Sequence, residues 1–219
     1  MKYRNALLLI FVIILIDQVF KIYIKTHMNY GVEGEIKVLG LEWFRLHFLE
    51  NEGMAFGMTL SDKNAVLGKI ILTSFRLVAV VFGFFLLKRL VKKEYSRGAI
   101  ICGSLILAGA LGNLIDSMFY GLIFSPSSYH YRSLSQFVPF GTGYAPFLQG
   151  KVVDMLYFPL FSGTFPGWVP FVGGNRFEFF EPVFNIADAA ISIGVLTLVF
   201  FQKRFIHKKT GPAAEQAAA

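Results

Sequence analysis

Residues 184–205 read FNIADAAISIGVLTLVFFQKRF. An apolar run of this length, closed by Lys203 and Arg204, is a candidate transmembrane helix, because roughly 20 helical residues cross a bilayer. Its first turn carries Asp188, preceded by Asn185. A charge at the centre of a span costs about 2.5–3.5 kcal/mol on insertion scales, so such residues face a protein interior or water and usually have a task. Working outward, residues 5–25, 65–87 and 98–120 form three more runs of spanning length. They bring Asp17, Arg76 and Asp116 with them, and Asp154 lies just outside a span. The pattern predicts an all-α polytopic membrane protein: a single domain over residues 1–210, with a disordered tail at 211–219. Several carboxylates near one membrane face point to acid–base chemistry at the bilayer surface.

Composition agrees. The chain has 219 residues, 55% of them hydrophobic and 25 of them Phe, which is too apolar for an ordinary soluble domain. Its single cysteine, Cys102, lies in an apolar run, which argues against a disulfide framework or a thiolate metal site. The net charge of +7 does not indicate nucleic acid, because the basic residues gather beside the spans. Lys2 and Arg4 precede the first span. Lys88, Arg89, Lys92, Lys93 and Arg97 join the second to the third, and Lys203, Arg204, Lys208 and Lys209 end the fourth. The two long loops are poor in Lys and Arg, and the first is offset by six acidic residues. The positive-inside rule then places both termini in the cytoplasm and both long loops outside. The first span reads as a retained anchor, since no small-x-small cleavage site follows it and Asp17 and Lys21 interrupt it.

In the first outer loop, residues 31–60, the runs 36–41 and 43–48 alternate in part and predict two short strands of a small sheet. Residues 121–183 are rich in Gly, Pro and aromatics, Trp168 among them, and predict an irregular cap lying on the membrane with interfacial aromatics. The lack of inverted halves with broken helices counts against a secondary transporter.

The polar residues fall into pairs. Asn113 and Asp116 share a face of span three, where Ala108 and Gly112 have the spacing that lets another helix approach closely. Asn113 is equally a packing clasp or a functional group. Asn185 and Asp188 share a face of span four, after Pro182; Asp188 reads either as a first-turn acid facing the helix dipole or as a functional carboxylate. Asp154, in KVVDML, is by default an exposed loop acid and gains meaning as a second carboxylate for Asp188. Asp17 and Lys21 are four apart with the acid first, the better order for a structural ion pair. Asn51, in the turn-like NEGMAFG, is an Asx turn or a donor to a substrate backbone. His27, His47, His130 and His207 lack metal-ligand spacing and read as surface histidines. No nucleophile elbow or phosphate loop appears.

Taken in order, these blocks resemble the lipoprotein signal peptidases of bacteria, or signal peptidase II. The resemblance runs through Asp17-Gln18-x-x-Lys21, Asn51-x-Gly53-x-Ala55-Phe56, Gly109-Ala110-Leu111-Gly112-Asn113-x-x-Asp116, Val152-Val153-Asp154 and Phe184-Asn185-x-Ala187-Asp188. It implies a four-helix membrane aspartyl protease of the bacterial inner membrane with a small periplasmic sheet. Such an enzyme removes the signal peptide from a prolipoprotein, cutting before the diacylglyceryl-cysteine. By resemblance Asp154 and Asp188 match the catalytic pair. Asn51, Gly53, Asn113, Asp116 and Asn185 match residues around the site, and Asp17 and Lys21 a supporting pair. The expected partners are the lipid-modified substrate and membrane lipids, with no cofactor, no metal, no nucleic acid and a monomeric state.

The chain departs from the family pattern at Ala108, where a Gly is usual, at Ser117, where an Arg is usual, and in longer outer loops, where added length costs little free energy. Arg76, near the middle of span two, is a candidate to supply the guanidinium that Ser117 lacks, pairing with Asp116 or the nearby site; Asp17 is the competing partner. Two rival readings are a proton- or ion-conducting protein and a structural protein whose polar residues only clasp helices.

Overall fold

In the computed structural model, residues 1–52, 65–127, 134–179 and 182–206 are described. The expectations for Gly53, Ala55, Phe56, His130, His207 and the 211–219 tail lie outside the described residues. Among the described residues four helices are long and apolar enough to cross a membrane: α1 (Tyr3–His27), α2 (Ala65–Lys92), α3 (Arg97–Ile123) and α4 (Ile186–Ile206). The basic end of α2 continues that helix beyond the expected span, to Lys92. Helix α4 begins two residues later than expected, because Val183–Phe184 is a strand.

Helix α3 is central and packs against the other three. Small residues on it allow close approach. A Cβ at Gly109 would lie 2.1 Å from Ala187 O of α4, and one at Gly112 would lie 2.9 Å from Asp17 Oδ2 of α1. Gly112 of the expected pair thus lies at a close approach, Ala108 is buried beside it, and Gly109 adds a second close contact. Around this seam Ala6, Ile10, Val80, Leu87, Ile100, Leu107, Ala108 and Leu114 form an apolar core. Residues such as Phe11, Phe75, Phe82, Phe85 and Phe200 are exposed on the outer faces, the pattern of helices solvated by lipid. Between α2, α3 and α4 a groove of about 600 Å³ is lined by apolar groups, among them Leu86 and Leu90, Gly103 and Ile106, and Val199.

At one end of the bundle lies a four-stranded antiparallel sheet in the order β1-β2-β3-β6. Its strands are β1 (Ile36–Lys37), β2 (Arg45–Asn51), β3 (Val152–Tyr157) and β6 (Val183–Phe184). The sheet departs from expectation in two ways. The 36–41 run leaves the strand after Lys37 and turns through a 3₁₀ segment with Leu39 at φ 53°. The cap, expected to be irregular, supplies β3 and β6, and also a separate hairpin, β4 (Phe161–Thr164) with β5 (Arg176–Phe179). Asp154 is therefore a sheet residue opposite Leu49, and Asn51 ends β2 opposite Val152 instead of lying in a turn.

Helix α3 fixes where the cap begins. It is π-helical over Asp116–Tyr120, a widened turn that frees carbonyl groups. Ser117 O accepts from Gly150 N at 2.9 Å, Gly121 O from Ala145 N at 3.0 Å and Leu122 O from Gly141 N at 3.0 Å. The chain end of α3 thus holds the segment that leads into β3. Gly150 must be glycine there, since a Cβ would lie 2.2 Å from Asp116 O. A second core of Ile24, Met28, Phe48, Tyr120, Phe124, Val153 and Met155 binds the sheet to the helix ends.

Candidate active site

Two carboxylates on different elements meet where the sheet joins the bundle. Asp154 is fixed by β3 and almost fully buried, while Asp188 stands half-buried in the first turn of α4. A chain of side-chain amides links them. Asn185 caps α4, its Oδ1 accepting from Asp188 N at 2.9 Å, and its Nδ2 donates to Asp154 Oδ1 at 2.7 Å and to Asn113 Oδ1 at 3.1 Å. Asn113 Nδ2 donates to Asp188 Oδ1 at 2.7 Å. Donor-only neighbours fix both amide orientations. An ammonium and a backbone N–H cannot accept, so Lys21 Nζ, at 2.8 Å, must face Asn113 Oδ1, and Asp188 N must face Asn185 Oδ1. From the solvent side, exposed Asn51 Nδ2 donates to Asp154 Oδ2 at 3.2 Å.

Beneath this layer lies a buried charge network. Lys21 Nζ is 3.0 Å from Asp17 Oδ2 and 2.8 Å from Asp116 Oδ2. Asp17 Oδ1 accepts from Ala187 N at 2.9 Å, so the carboxylate of α1 also holds the start of α4. Asp116 accepts from Val153 N at 3.2 Å, adjacent to Asp154, and from Gln18 Nε2 at 2.8 Å. Tyr120 donates to Gln18 Oε1 at 3.1 Å. Asp17 and Lys21 are thus part of a five-residue support in which three helices meet β3, rather than an isolated pair. A polar Gln inside an apolar span was the signal for Gln18.

Arg76 of α2 is half-buried, and the charges that act on it are those of Asp188, Asp116 and Asp154. Asp116 already has Lys21 as its close cation. Ser117 hydrogen-bonds back to Asn113 O at 3.0 Å.

A second cluster flanks Asn51. Lys25 pairs with Glu50 and bonds Ser127 Oγ at 3.1 Å. Lys69 of α2 donates to Glu52 O at 2.6 Å, and Lys151 Nζ lies 3.1 Å from Glu52 Oε1. Burial pushes the Glu52 carboxyl up, but Lys69 and Lys151 outweigh it and hold it below the usual range. Glu52 thereby ties α2 to the sheet beside Asn51. The acids that flank Asn51 in sequence were its only local trace. His47, expected on the surface, is half-buried within 3.9 Å of Glu35, and burial lowers its pKa.

The surroundings of Asp154 raise its proton affinity. Burial, followed by the charge of Asp188, pushes the Asp154 carboxyl up to about 7, while the amides of Asn51 and Asn185 act in the opposite direction. Asp188 stands at the amino end of α4, in the field of the helix and of Arg76. One acid is poised to hold a proton near neutrality beside a second carboxylate, the arrangement that separates acid from base roles.

The fold and this site define a class, a polytopic membrane protein whose helices and sheet jointly carry a carboxylate pair. Comparison with known proteins makes it specific. The signal peptidase (SPase) II family matches residues 9–203, so the chain belongs to that family and is a peptidase. It is 46% identical over 210 residues to a lipoprotein signal peptidase of Porphyromonas gingivalis, covering 93% of this chain and 87% of the relative. It is 38% identical over 196 residues to a lipoprotein signal peptidase of Amoebophilus asiaticus, covering 89% and 76%. Its fold is similar to that of a bacterial membrane enzyme solved by the in meso method at 2.3 Å resolution, with a TM-score of 0.55, 24% identity and coverage of 95% and 94%.

Proposed function

We propose that the protein removes the signal peptide from diacylglyceryl-modified prolipoproteins, cutting before the lipidated cysteine, with Asp154 and Asp188 as the catalytic dyad. The observation that carries this reading is the amide chain from Asp154 through Asn185 and Asn113 to Asp188. It links two carboxylates that come from separate elements.

Asp188 is the base. It takes a proton from water as the oxygen attacks the scissile carbonyl. Asp154, which holds its proton up to about pH 7, donates to the carbonyl oxygen, giving a neutral tetrahedral diol. On collapse, the proton gained by Asp188 passes to the leaving amine while Asp154 recovers one from a diol hydroxyl. The pair then returns to its starting state, titrating as a unit. Asn51 keeps its exposed position to orient the substrate backbone. The apolar groove supports a seat for the leader helix. Its lining residues Ala99, Gly103, Ile106 and Ala110 follow one face of α3, and the next position on that face is Asn113. Charge placement supports cytoplasmic termini with the site near the periplasmic face; an inner-membrane monomer among lipids completes the proposal.

The test is cleavage of a diacylglyceryl-modified prolipoprotein by purified protein in detergent, followed as a mass shift on a gel. Asp154→Asn and Asp188→Asn should each abolish the product with the protein still inserted and folded. Full activity in either variant refutes the dyad.

A further inference from the structure

The hairpin β4–β5 takes no part in the chemistry above. Its register pairs Phe161 with Phe179 and Gly163 with Phe177, so these positions share one face; Thr164 with Arg176, and Ser162 with Glu178, occupy the other. The aromatic face is continuous. Phe161 stacks on Phe179 at 4.6 Å, and Phe165 meets Phe177 at 4.6 Å. Phe161 and Phe179 are nevertheless 55% and 52% exposed, and at the tip Trp168 is 82% exposed and Phe171 fully so, the latter at φ 68°. A two-stranded hairpin is marginal in water, and a bulky residue at positive φ adds strain. Such an element needs a surface to lie on.

We propose that hairpin 161–179 is an interfacial anchor that docks its aromatic face and Trp168 into the headgroup region of the bilayer its own helices span. Two observations favour lipid over a protein partner. First, the hairpin is tethered to the membrane. β5 ends seven residues before α4, a reach of at most about 25 Å. Second, its aromatics continue a belt already at the bundle's end. Phe158, three residues before Phe161, stacks on Phe44 at 4.7 Å and on Phe184 at 5.7 Å, with half-exposed Trp43 alongside. Trp43 and Trp168 fit the enrichment of Trp at membrane–water interfaces. Docking there would hold β3, which β4 follows after three residues, and Asp154 with it, at a fixed depth.

The chain has two tryptophans, so Trp43→Phe leaves Trp168 as a lone reporter. The full-length variant is reconstituted into vesicles of phosphatidylethanolamine and phosphatidylglycerol, with and without acyl-chain-brominated lipid. The expected result is blue-shifted emission that falls at least about twofold with brominated lipid and resists aqueous iodide. Water-like emission quenched by iodide and indifferent to bromine overturns the proposal. So does protection that appears only on adding prolipoprotein, which would assign the tip to substrate. Should Trp43→Phe fail to fold, the difference between the unsubstituted protein and Trp168→Phe gives the same Trp168 signal. Cleavage is not read, so the outcome is independent of the dyad.

Discussion

Gly109→Ala places a methyl group 2.1 Å from Ala187 O and 2.7 Å from Ile191 Cγ1. The first neighbour is backbone and cannot rotate away, so α3 and α4 must separate by on the order of 1 Å to reach ordinary contact, an overpacking that costs about 1–3 kcal/mol. The displaced carbonyl belongs to the residue before Asp188. The movement therefore falls on the 2.7 Å bond from Asn113 to Asp188 and on the Ala187 N bond to Asp17. A misplacement of that size in a catalytic constellation costs about 100-fold in rate. Two assays read it: thermal melting in detergent and kcat/KM for prolipoprotein cleavage. Melting should fall modestly and the rate steeply, chiefly in kcat. Gly103→Ala is the packing control, because its methyl would meet Leu87 and Leu90 at 3.6 and 3.8 Å and should leave melting unchanged. A Gly109→Ala enzyme with an unaltered rate would show that the α3–α4 seam does not set the dyad's geometry.

The proposed mechanism has Asp154 donate a proton, so kcat/KM should decline above about pH 7, roughly tenfold per unit. Its raised pKa also means that its contribution to stability is present at low pH and lost as pH rises through about 7. Asn51→Ala removes a donor that favours the ionised form, so the alkaline limb should move to higher pH; a limb left in place would exclude Asn51 from this role. Lys21→Met leaves Asp17 and Asp116 buried without their shared cation and should destabilise by about 3–5 kcal/mol, read as a lowered Tm. An unshifted Tm would contradict the network. Gly103→Leu narrows the groove and should raise KM about tenfold with kcat retained, whereas a purely catalytic defect would refute the leader seat.

The helices were legible because lipid solvation imposes a strong, local signature: long apolar runs with basic ends. Asp188 and Asn185 stood out because polar groups in such runs are rare. The surroundings of Asp154 were not legible. VVDMLY is a short apolar run whose strand character comes from pairing with Arg45–Asn51, about a hundred residues away. No local period encodes that partnership. The same holds for Lys25 with Glu50 and for Glu52 between Lys69 and Lys151, where each charge taken alone reads as a solvated loop or interface residue. Span one displayed Asp17 and Lys21 as a helical pair, but their bonds to Asn113, Asp116 and Ala187 required three elements to be assembled.

The buried lysine of α1 also bears on how the protein is made. Helix α1 is synthesised before α3, and it carries Asp17 and Lys21 at positions that the finished bundle seals from solvent. Alone in lipid these charges have only each other. Their remaining partners, Asn113 and Asp116, lie on α3, which starts some seventy residues after α1 ends, and Ala187 N comes later still. A charged pair is costly in lipid, so α1 gains its full set of polar partners only when α3 and the start of α4 supply Asn113, Asp116 and Ala187 N. Insertion of the early helix and assembly of the bundle are coupled through these residues.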